Sequence, residues 1–315
     1  MKRLFLSFAA SFLTCFVAMP YYIRKAKAGG WVSPDIHKNG RPLIPESGGI
    51  VWVFAYLISL FLLVPLYDVE TQLKIVAAGA TVLLAGLVGM ADDAIGFPWR
   101  VKSLLPVLAS IPLAVMRAGM TSIHVPFLAV IDLGVLYYVL VIPIAVTASA
   151  NVVNQLAGLN GLEAGSCLVI GVSLIGCTLA AGNQFGLVLL APYLGALLAF
   201  LWYNRYPSRV FPGDVGTLAF GATFAAFGVL CNLEQAVLIC LLPHIFNSIS
   251  VLIGYMRGVP PESTMSEDLV FHSNSSYSLR CLILRVTNLR ERSLVASILL
   301  VVAIFGLLSV LTVGR

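Results

Sequence analysis

The sequence has 315 residues, of which 59% are apolar and only 10% are charged. A soluble domain carries about 25% charged and about 45–50% apolar residues, so this composition, with a mean hydropathy of +0.97, excludes a soluble protein and indicates lipid as the main solvent. The net charge of +5 does not indicate a nucleic-acid partner, because the basic residues are scattered among short loops and form no stripe or basic tail.

Ten charge-poor runs are long enough to cross a bilayer, which takes about 20 mainly apolar residues. In chain order they occupy residues 4–23, 49–67, 75–91, 103–119, 134–150, 164–181, 186–203, 215–231, 236–256 and 293–313. Pro106 and Pro112 interrupt the fourth run, but neighbouring helices can satisfy the carbonyls that prolines leave free. We therefore predict an all-α integral membrane protein with about ten transmembrane helices, forming a single polytopic domain over residues 1–315.

The basic residues predict the orientation in the membrane. Fourteen of the nineteen lie in loops that follow odd-numbered runs, which places those loops in the cytosol and both termini outside. Lys2 and Arg3 oppose this and resemble the start of a signal peptide. The heavier charge after the first run outweighs them, so an uncleaved first helix is predicted. The six cysteines show neither framework nor zinc-ligand spacing, which predicts buried free thiols.

Five polar segments stand out between the apolar runs. They are residues 35–38 with 45–49, residues 92–93, residues 151–163, residues 211–214 and the long loop 257–292. All five follow odd-numbered runs, although the orientation was assigned from lysine and arginine alone. Because carboxylates and amides at the ends of membrane spans are costly and mark function by default, we predict one active site on the cytosolic face.

Asp92 and Asp93 lie at the end of the third run, and Lys102 lies ten residues beyond Asp92, where the chain re-enters the membrane. Adjacent helical side chains point about 100° apart, so one carboxylate can approach a metal while the other faces a different substrate group. The alternative is a pair of helix-end acids bridged to Arg100 or Lys102. The lysine itself either holds a phosphate as a point charge or extends to the membrane surface.

The segment 151–163 holds three asparagines, two glycines and a glutamate between two apolar runs. Such residues let a backbone approach a ligand and let amides bind a base edge or a metal; the alternative is a polar loop whose Glu163 caps the next helix. Phe211 and Asp214 similarly offer a ring for a base and an oxygen for a cation, or ordinary helix capping. Together these oxygen ligands suit Mg²⁺, which proteins hold with one or two side chains plus phosphates and waters.

Over most of its length the sequence resembles the polyprenyl-phosphate N-acetylhexosamine-1-phosphate transferases of glycosyltransferase family 4. The similarity is carried by residues 44–49 (IPESGG), 89–93 (GMADD) with 99–102 (WRVK), 151–165, 211–216 (FPGDVG) and 288–292 (NLRER). Residues 157–163 (AGLNGLE) are its most specific part, since bacterial members usually carry an Asp-Gly-x-Asp/Asn-Gly-Leu version there. The sequence is therefore similar to the dolichol-type branch, and its shortness favours an archaeal-type protein.

The resemblance implies a cytosolic-face cleft that transfers GlcNAc-1-phosphate from UDP-GlcNAc to a polyprenyl (dolichyl-type) phosphate. The products would be GlcNAc-diphosphate-polyprenol and UMP, in the first step of lipid-linked glycan assembly. It further implies that Asn154 and Asp214 bind Mg²⁺, with Mn²⁺ as the alternative ion. Asp93, with Asp92, would support the metal or deprotonate the lipid phosphate, and Lys102 would hold a phosphate. A homodimer in the cell membrane is left open.

The resemblance also implies two groups of binding residues. The UDP-sugar group is Asp35, Ile36, Glu46, Gly158, Asn160, Phe211 and Trp99. The lipid-phosphate group is Lys102, Thr147, Asn151 and Gln155.

The sequence departs from the family pattern in two places. Gly96 stands where an asparagine often follows the aspartate pair. The loop 257–292 lacks the compact His/Arg motif that grips the diphosphate and the sugar, and offers only Arg257, His272 and Arg280. Two alternatives therefore stay open: the same chemistry with another UDP-hexosamine, and a secondary transporter that uses intramembrane acids.

Overall fold

The computed structural model describes residues 2–125, 129–260 and 262–314. Within these ranges, nine helices are long and apolar enough to cross a membrane, as expected for a polytopic all-α protein. They are α1 (Lys2–Ala28), α2 (Gly49–Phe61, extended by a 3₁₀ turn to Leu66), α3 (Val69–Ile95), α6 (Ile142–Gln155, preceded by a π-helical turn from Tyr137), α7 (Leu162–Ala180), α8 (Phe185–Asn204), α9 (Gly213–Cys231), α10 (Glu234–Met256) and α12 (Glu291–Val313).

Shorter elements connect these helices. They are α4 (Trp99–Leu104), a 3₁₀ helix (Leu105–Ser110), α5 (Ile111–Val115), α11 (Leu279–Val286), and the strands β1 (Val32–Pro34), β2 (Leu43–Pro45), β3 (Ser122–Val125), β4 (Ala129–Asp132), β5 (Thr264–Met265), β6 (Val270–His272) and β7 (Leu289–Arg290). The strands form three small antiparallel sheets, β1–β2, β3–β4 and β5–β6–β7. β1–β2 and β5–β6–β7 belong to the loops that carry the polar segments.

The fourth predicted run, residues 103–119, is not one continuous helix. Its two prolines each begin a new short helix, because proline lacks an N–H and clashes with the preceding turn. The segment nevertheless connects the two ends of the bundle. Lys102 pairs with Asp214 in the first turn of α9, whereas the backbone N–H of Met120 donates to Asn232 just beyond the last turn, at 2.9 Å. The described chain thus crosses the bundle ten times, nine times as a continuous helix.

Helix α9 lies at the centre of the bundle, and every residue from Val215 to Cys231 is buried. Glycines bring its first turn against two neighbours: a Cβ on Gly89 of α3 would come within 2.3 Å of the carbonyl oxygen of Asp214, and one on Gly49 of α2 within 2.2 Å of Gly216. Small residues allow such close approach between membrane helices. The packing therefore fixes the start of α9 between α2 and α3.

Both terminal helices have their free ends at the far end of the bundle from Asp214. Arg3 donates to the carbonyl of Leu66, 2.9 Å away at the end of α2. Ser309 donates to the carbonyl of Ala236, also at 2.9 Å, in the first turn of α10. All six cysteines are buried and unpaired, as predicted.

Candidate active site

The structure brings the five polar segments together at one end of the bundle. The backbone N–H of Gly48 donates to the carbonyl of Phe211 at 2.9 Å, and the N–H of Phe211 donates to Pro45 at 2.8 Å. Asn160 joins this group through a side-chain bond to Asp35, and the other two segments meet it through the contacts described below. A polar region is therefore assembled from parts of the chain that lie far apart in sequence.

An ion-paired triad lies where α3, α4 and α9 meet. The ammonium of Lys102 is 2.9 Å from Asp92 and 3.1 Å from Asp214. The side chain of Asp92 is 5% exposed and also accepts the backbone N–H of Phe97, whereas that of Lys102 is 41% exposed. The bridge considered as an alternative for Asp92 is thus formed, and the same contact places a half-exposed cation beside Asp214.

Asp93 is directed away from this triad and caps α9. One carboxylate oxygen accepts the backbone N–H of Asp214 at 2.8 Å, and the other accepts the hydroxyl of Ser47 at 2.6 Å. Gly213 has a φ of +65°, and a Cβ there would lie 2.4 Å from the Asp93 carboxylate. A carboxylate at a helix N-terminus satisfies free N–H groups and the helix dipole. The catalytic role of Asp93 stays a prediction, while its contacts give it a positioning role for Asp214.

A cavity of about 570 Å³ opens beside Asp214. Eight of the predicted site residues line it: Asp35, Ile36, Glu46, Asn154, Gly158, Asn160, Phe211 and Asp214. The other predicted residues do not: Asp92, Asp93, Trp99, Lys102, Thr147, Asn151 and Gln155. The cavity therefore contains most of the predicted nucleotide-sugar group and both predicted metal ligands, and none of the lipid-phosphate group.

The donor set next to Asp214 consists of oxygen atoms. Asn154 lines the same cavity, and its amide oxygen accepts the hydroxyl of Thr217 at 3.2 Å. Thr217 stands one helical turn after Asp214 on α9. Within the described ranges no three His, Cys, Asp or Glu side chains cluster to hold a metal. One carboxylate and one amide fit Mg²⁺ completed by substrate phosphates and waters, and do not form an all-protein cage.

Asn160 and Asp35 form a buried wall of the cavity, with 5% and 4% exposure. The Asn160 amide donates to Asp35 at 3.1 Å and accepts the backbone N–H of Ser208 at 2.8 Å. These contacts occupy polar atoms predicted to bind a base. The more open surfaces of this region belong to Ile36, which is 58% exposed, and to Gly158, where a Cβ would meet nothing within 4 Å.

The loop 257–292 contributes one cation to the cavity, Arg280 at the start of α11. Arg257 instead contacts the Tyr277 hydroxyl at 3.3 Å, and neither Arg257 nor His272 lines the cavity. Burial and the charge of Arg280 lower the pKa of His37, another lining residue, to about 4, so that imidazole is neutral near pH 7. The sequence could not single out Arg280, because the loop holds no spaced motif.

Of the predicted lipid-phosphate residues, Lys102 lies in α4 and Asn151 contacts this helix. The amide of Asn151 donates to the carbonyls of Ser103 at 2.8 Å and of Thr147 at 2.9 Å, which fixes α4 and hence Lys102 against α6. Gln155 is exposed at the end of α6. Trp99, expected near the sugar, is 66% exposed outside the cavity, with the guanidinium of the next residue 5.5 Å from its ring centroid.

The fold and the site together define a multi-pass membrane protein with a polar cavity at one end of its helix bundle. The chain belongs to glycosyl transferase family 4: its residues 75–232 match the family of that description, and full-length relatives support the same assignment. The resemblance inferred from the motifs is confirmed. The chain is accordingly an enzyme of the glycosyltransferase and phosphotransferase type.

Three relatives illustrate the range of the family. The chain is 32% identical over 304 residues to a Saccharolobus solfataricus protein assigned as a UDP-N-acetylglucosamine–dolichyl-phosphate N-acetylglucosaminephosphotransferase, covering 96% of this chain and 94% of the relative. A Dictyostelium discoideum protein with that name is 32% identical over 286 residues, 77% of this chain and 70% of its own length. A Chlamydia trachomatis phospho-N-acetylmuramoyl-pentapeptide-transferase is 33% identical over 240 residues, 70% of each chain.

Proposed function

We propose that this chain transfers GlcNAc-1-phosphate from UDP-GlcNAc to a polyprenyl phosphate of the dolichyl type. An oxygen of the lipid phosphate attacks the β-phosphorus, the bond from that phosphorus to the bridging oxygen breaks, and UMP leaves with that oxygen. The observation that carries the proposal is the cavity beside the Lys102–Asp92–Asp214 triad in a chain that aligns over 96% of its length with a relative assigned this activity.

The two regions of the site suit the two substrates. The cavity would take the nucleotide sugar, with Ile36, Gly158 and Phe211 lining its base-binding part. Lys102, outside the cavity and half-exposed, would hold the phosphate of the lipid as a point charge. Arg280 would pair with the diphosphate or the sugar in place of the family's missing basic motif, since a charged hydrogen bond to phosphate is strong and directional.

Asp214 and Asn154 would hold the Mg²⁺ ion, or Mn²⁺ in its place. The ion supplies charge neutralisation to the diphosphate when it is bound. Thr217 orients the Asn154 amide, and Asp93 holds the start of α9, so both ligands are positioned before substrate binds. The ammonium of Lys102, 3.1 Å from Asp214, adds a fixed positive charge beside these ligands.

The end of the bundle that carries the cavity would face the cytosol. Fourteen of nineteen basic residues are in the loops assigned to that side. Both described chain ends lie at the opposite end of the bundle and would be extracytoplasmic.

A second candidate keeps the chemistry and changes the sugar. Its basis is the Chlamydia relative, a phospho-N-acetylmuramoyl-pentapeptide-transferase at 33% identity over 70% of the chain, and the sparse basic residues of the loop 257–292. The Saccharolobus relative covers 96% of the chain and favours the first candidate. Membership of a glycosyltransferase family gives the transporter alternative no support.

Turnover of purified full-length protein in lipid nanodiscs tests the proposal. We expect UMP release from UDP-GlcNAc only when polyprenyl phosphate and Mg²⁺ are both present, with loss on chelation and recovery on adding Mg²⁺ or Mn²⁺. Competition with UDP-GalNAc and a UDP-muramoyl peptide in the same assay separates the two candidates. UMP release that does not depend on the lipid acceptor, or the absence of UMP release with every UDP-hexosamine tested, would refute the proposed reaction.

A further inference from the structure

A second ion pair, more buried than the Lys102 triad, lies behind the cavity wall. Lys38, which follows β1, pairs with Glu291, the first residue of α12, although 253 positions separate them. Their side chains are 12% and 4% exposed. The same ammonium is 3.5 Å from Asp35 and 4.4 Å from the ring centroid of Tyr206. Neither member of the pair lines the main cavity.

The pair closes a ring of contacts with two residues that do line the cavity. The other carboxylate oxygen of Glu291 accepts the backbone N–H of Asn160 at 2.7 Å, and the Asn160 amide donates to Asp35 at 3.1 Å. Lys38 joins Asp35 to Glu291 and completes the ring. Three segments that share no secondary structure are thus fixed to one another by four polar side chains.

This ring separates two cavities. Asp35 and Asn160 face the main cavity, whereas Glu291 lines a smaller one of about 430 Å³ on the other side, and His37 lines both. A buried ion pair contributes little net stability, because desolvation offsets the attraction. Its contacts do, however, require one relative placement of the segments that carry them.

We propose that Lys38 and Glu291 are positioning residues that hold the Asp35–Asn160 wall in the arrangement that binds the nucleotide part of the substrate. This inference rests on the proposed function, since it assumes a UDP-sugar in the main cavity. Neither residue lines the main cavity, so neither would touch the reacting phosphates. Their loss should therefore weaken UDP-sugar binding far more than it slows the chemical step.

Two substitutions at position 291 distinguish the two contributions of the Glu291 carboxylate, its hydrogen-bond acceptor and its negative charge. Glu291→Gln keeps an oxygen for the Asn160 N–H and removes the charge that faces Lys38. Glu291→Leu removes both the oxygen and the charge, and Lys38→Met leaves the Glu291 carboxylate buried without its cation.

We expect the KM for UDP-GlcNAc to rise by about tenfold or more in Glu291→Leu and Lys38→Met, since a lost hydrogen bond to a charged group has an effect of that order. Glu291→Gln should fall between these and the wild type, and Lys38→Arg should restore most of the affinity.

The test uses the full-length protein and two readouts. Steady-state UMP release gives separate KM values for UDP-GlcNAc and polyprenyl phosphate, and hydrogen exchange of residues 157–163 reports the Asn160 anchor without any substrate. Glu70→Gln and Lys74→Met provide the matched control, because that pair, 2.7 Å apart, is exposed at the opposite end of the bundle.

Support consists of faster exchange at residues 157–163 together with a raised KM for UDP-GlcNAc, an unchanged KM for the lipid and little change in kcat. Unchanged exchange in Glu291→Leu, or faster exchange with the KM for UDP-GlcNAc within twofold of wild type, would overturn the inference. A fall in kcat with unchanged KM would also overturn it. Failure of the wild-type protein to turn over any UDP-sugar would instead remove the proposed function, and the exchange data would still show whether the ring anchors the wall.

Discussion

Two interpretations that the sequence offered as alternatives can both apply to Lys102: it bridges a helix-end acid, and its exposed ammonium can hold a phosphate. Its ammonium balances the buried Asp92 carboxylate and also contacts Asp214, yet the side chain remains 41% exposed. In Lys102→Met the charge that balances Asp92 disappears together with the proposed contact to the lipid phosphate. We expect kcat for UMP release to fall by about 100-fold or more, the usual effect of removing one group that stabilises the transition state.

Two further variants serve as controls for the Lys102→Met result. Lys102→Arg should recover only part of the rate, because a planar guanidinium does not replace a compact ammonium. Lys27→Met, at an exposed lysine in the last turn of α1, should leave the rate unchanged. If Lys102→Met kept more than half of the wild-type kcat, the lysine would be a membrane-surface lysine and nothing more.

Arg280 is the second residue whose charge should matter. It lines the cavity and forms no salt bridge within the described ranges, so its charge is available to a bound diphosphate. We expect Arg280→Ala to raise the KM for UDP-GlcNAc by about tenfold, the loss of roughly one charged hydrogen bond. Isothermal titration with UDP-GlcNAc gives the corresponding change in Kd.

Arg285 on the same short helix provides the control. It contacts Ser276 and does not line the cavity, so Arg285→Ala should bind UDP-GlcNAc normally. Equal effects of the two variants would mean that α11 was disturbed and that Arg280 carries no specific role.

At the scale of elements, the position of α9 depends on a cap supplied by α3. Asp93 accepts the N–H of Asp214 and the hydroxyl of Ser47. In Asp93→Asn, an amide NH₂ replaces one acceptor, and we expect a loss of about 1 kcal/mol in stability. Because the Asp214 backbone is held by this contact, the Mg²⁺ concentration for half-maximal activity should rise as well, which a metal titration of UMP release measures.

The metal titration distinguishes two roles for Asp93, a helix cap and a proton acceptor. A capping Asp93 predicts that high Mg²⁺ restores most of the rate in Asp93→Asn, whereas a catalytic base predicts a low kcat at every Mg²⁺ concentration and an unchanged Tm. Asp68→Asn is the matched control. Asp68 caps the N-terminus of α3, at the opposite end of that helix from Asp93, by accepting the N–H of Thr71 at 3.2 Å. This substitution should lower Tm without changing the Mg²⁺ requirement.

The elements that the sequence predicted well are those defined by length and absence of charge. Nine apolar runs are helices because only a helix satisfies every backbone group within lipid. The fourth run was predicted as continuous, and it is broken where prolines remove backbone donors. The short helix α11 and the small sheets were missed, because two- to four-residue strands carry no periodic pattern and their stability comes from tertiary contacts.

At the scale of the whole molecule, the sequence could place polar segments on one side of the membrane but could not pair them. The positive-inside rule grouped the five segments by counting charges, and the structure brings them to one end of the bundle. Which residues touch depends on packing between distant helices. Lys38 and Glu291 are separated by 253 positions and had no local signal in common. Asp92 and Asp93 were predicted to point apart on the helix, as they do, but the contact of Asp93 with the Asp214 N–H had no signal in the sequence.

The orientation of the whole bundle in the membrane can be measured by cysteine labelling. Single cysteines placed in a background without the six buried native ones can be labelled by a membrane-impermeant maleimide on intact cells. Position 39, exposed in the loop at the cavity end, and position 70, whose side chain is 77% exposed at the opposite end, provide the two reporters.

We expect Glu70→Cys to be labelled on intact cells and Asn39→Cys only after permeabilisation. The physical reason is that lysines and arginines cluster around position 39, and cytosolic loops retain such charge during insertion. Labelling of both variants after permeabilisation is the control that each thiol is accessible. The reverse pattern would put the cavity outside the cell, away from a cytosolic nucleotide sugar. Labelling of both variants on intact cells would mean that the two ends of the bundle do not lie on opposite sides of the membrane, and the ten crossings inferred from the contacts of α9 would have to be reassigned.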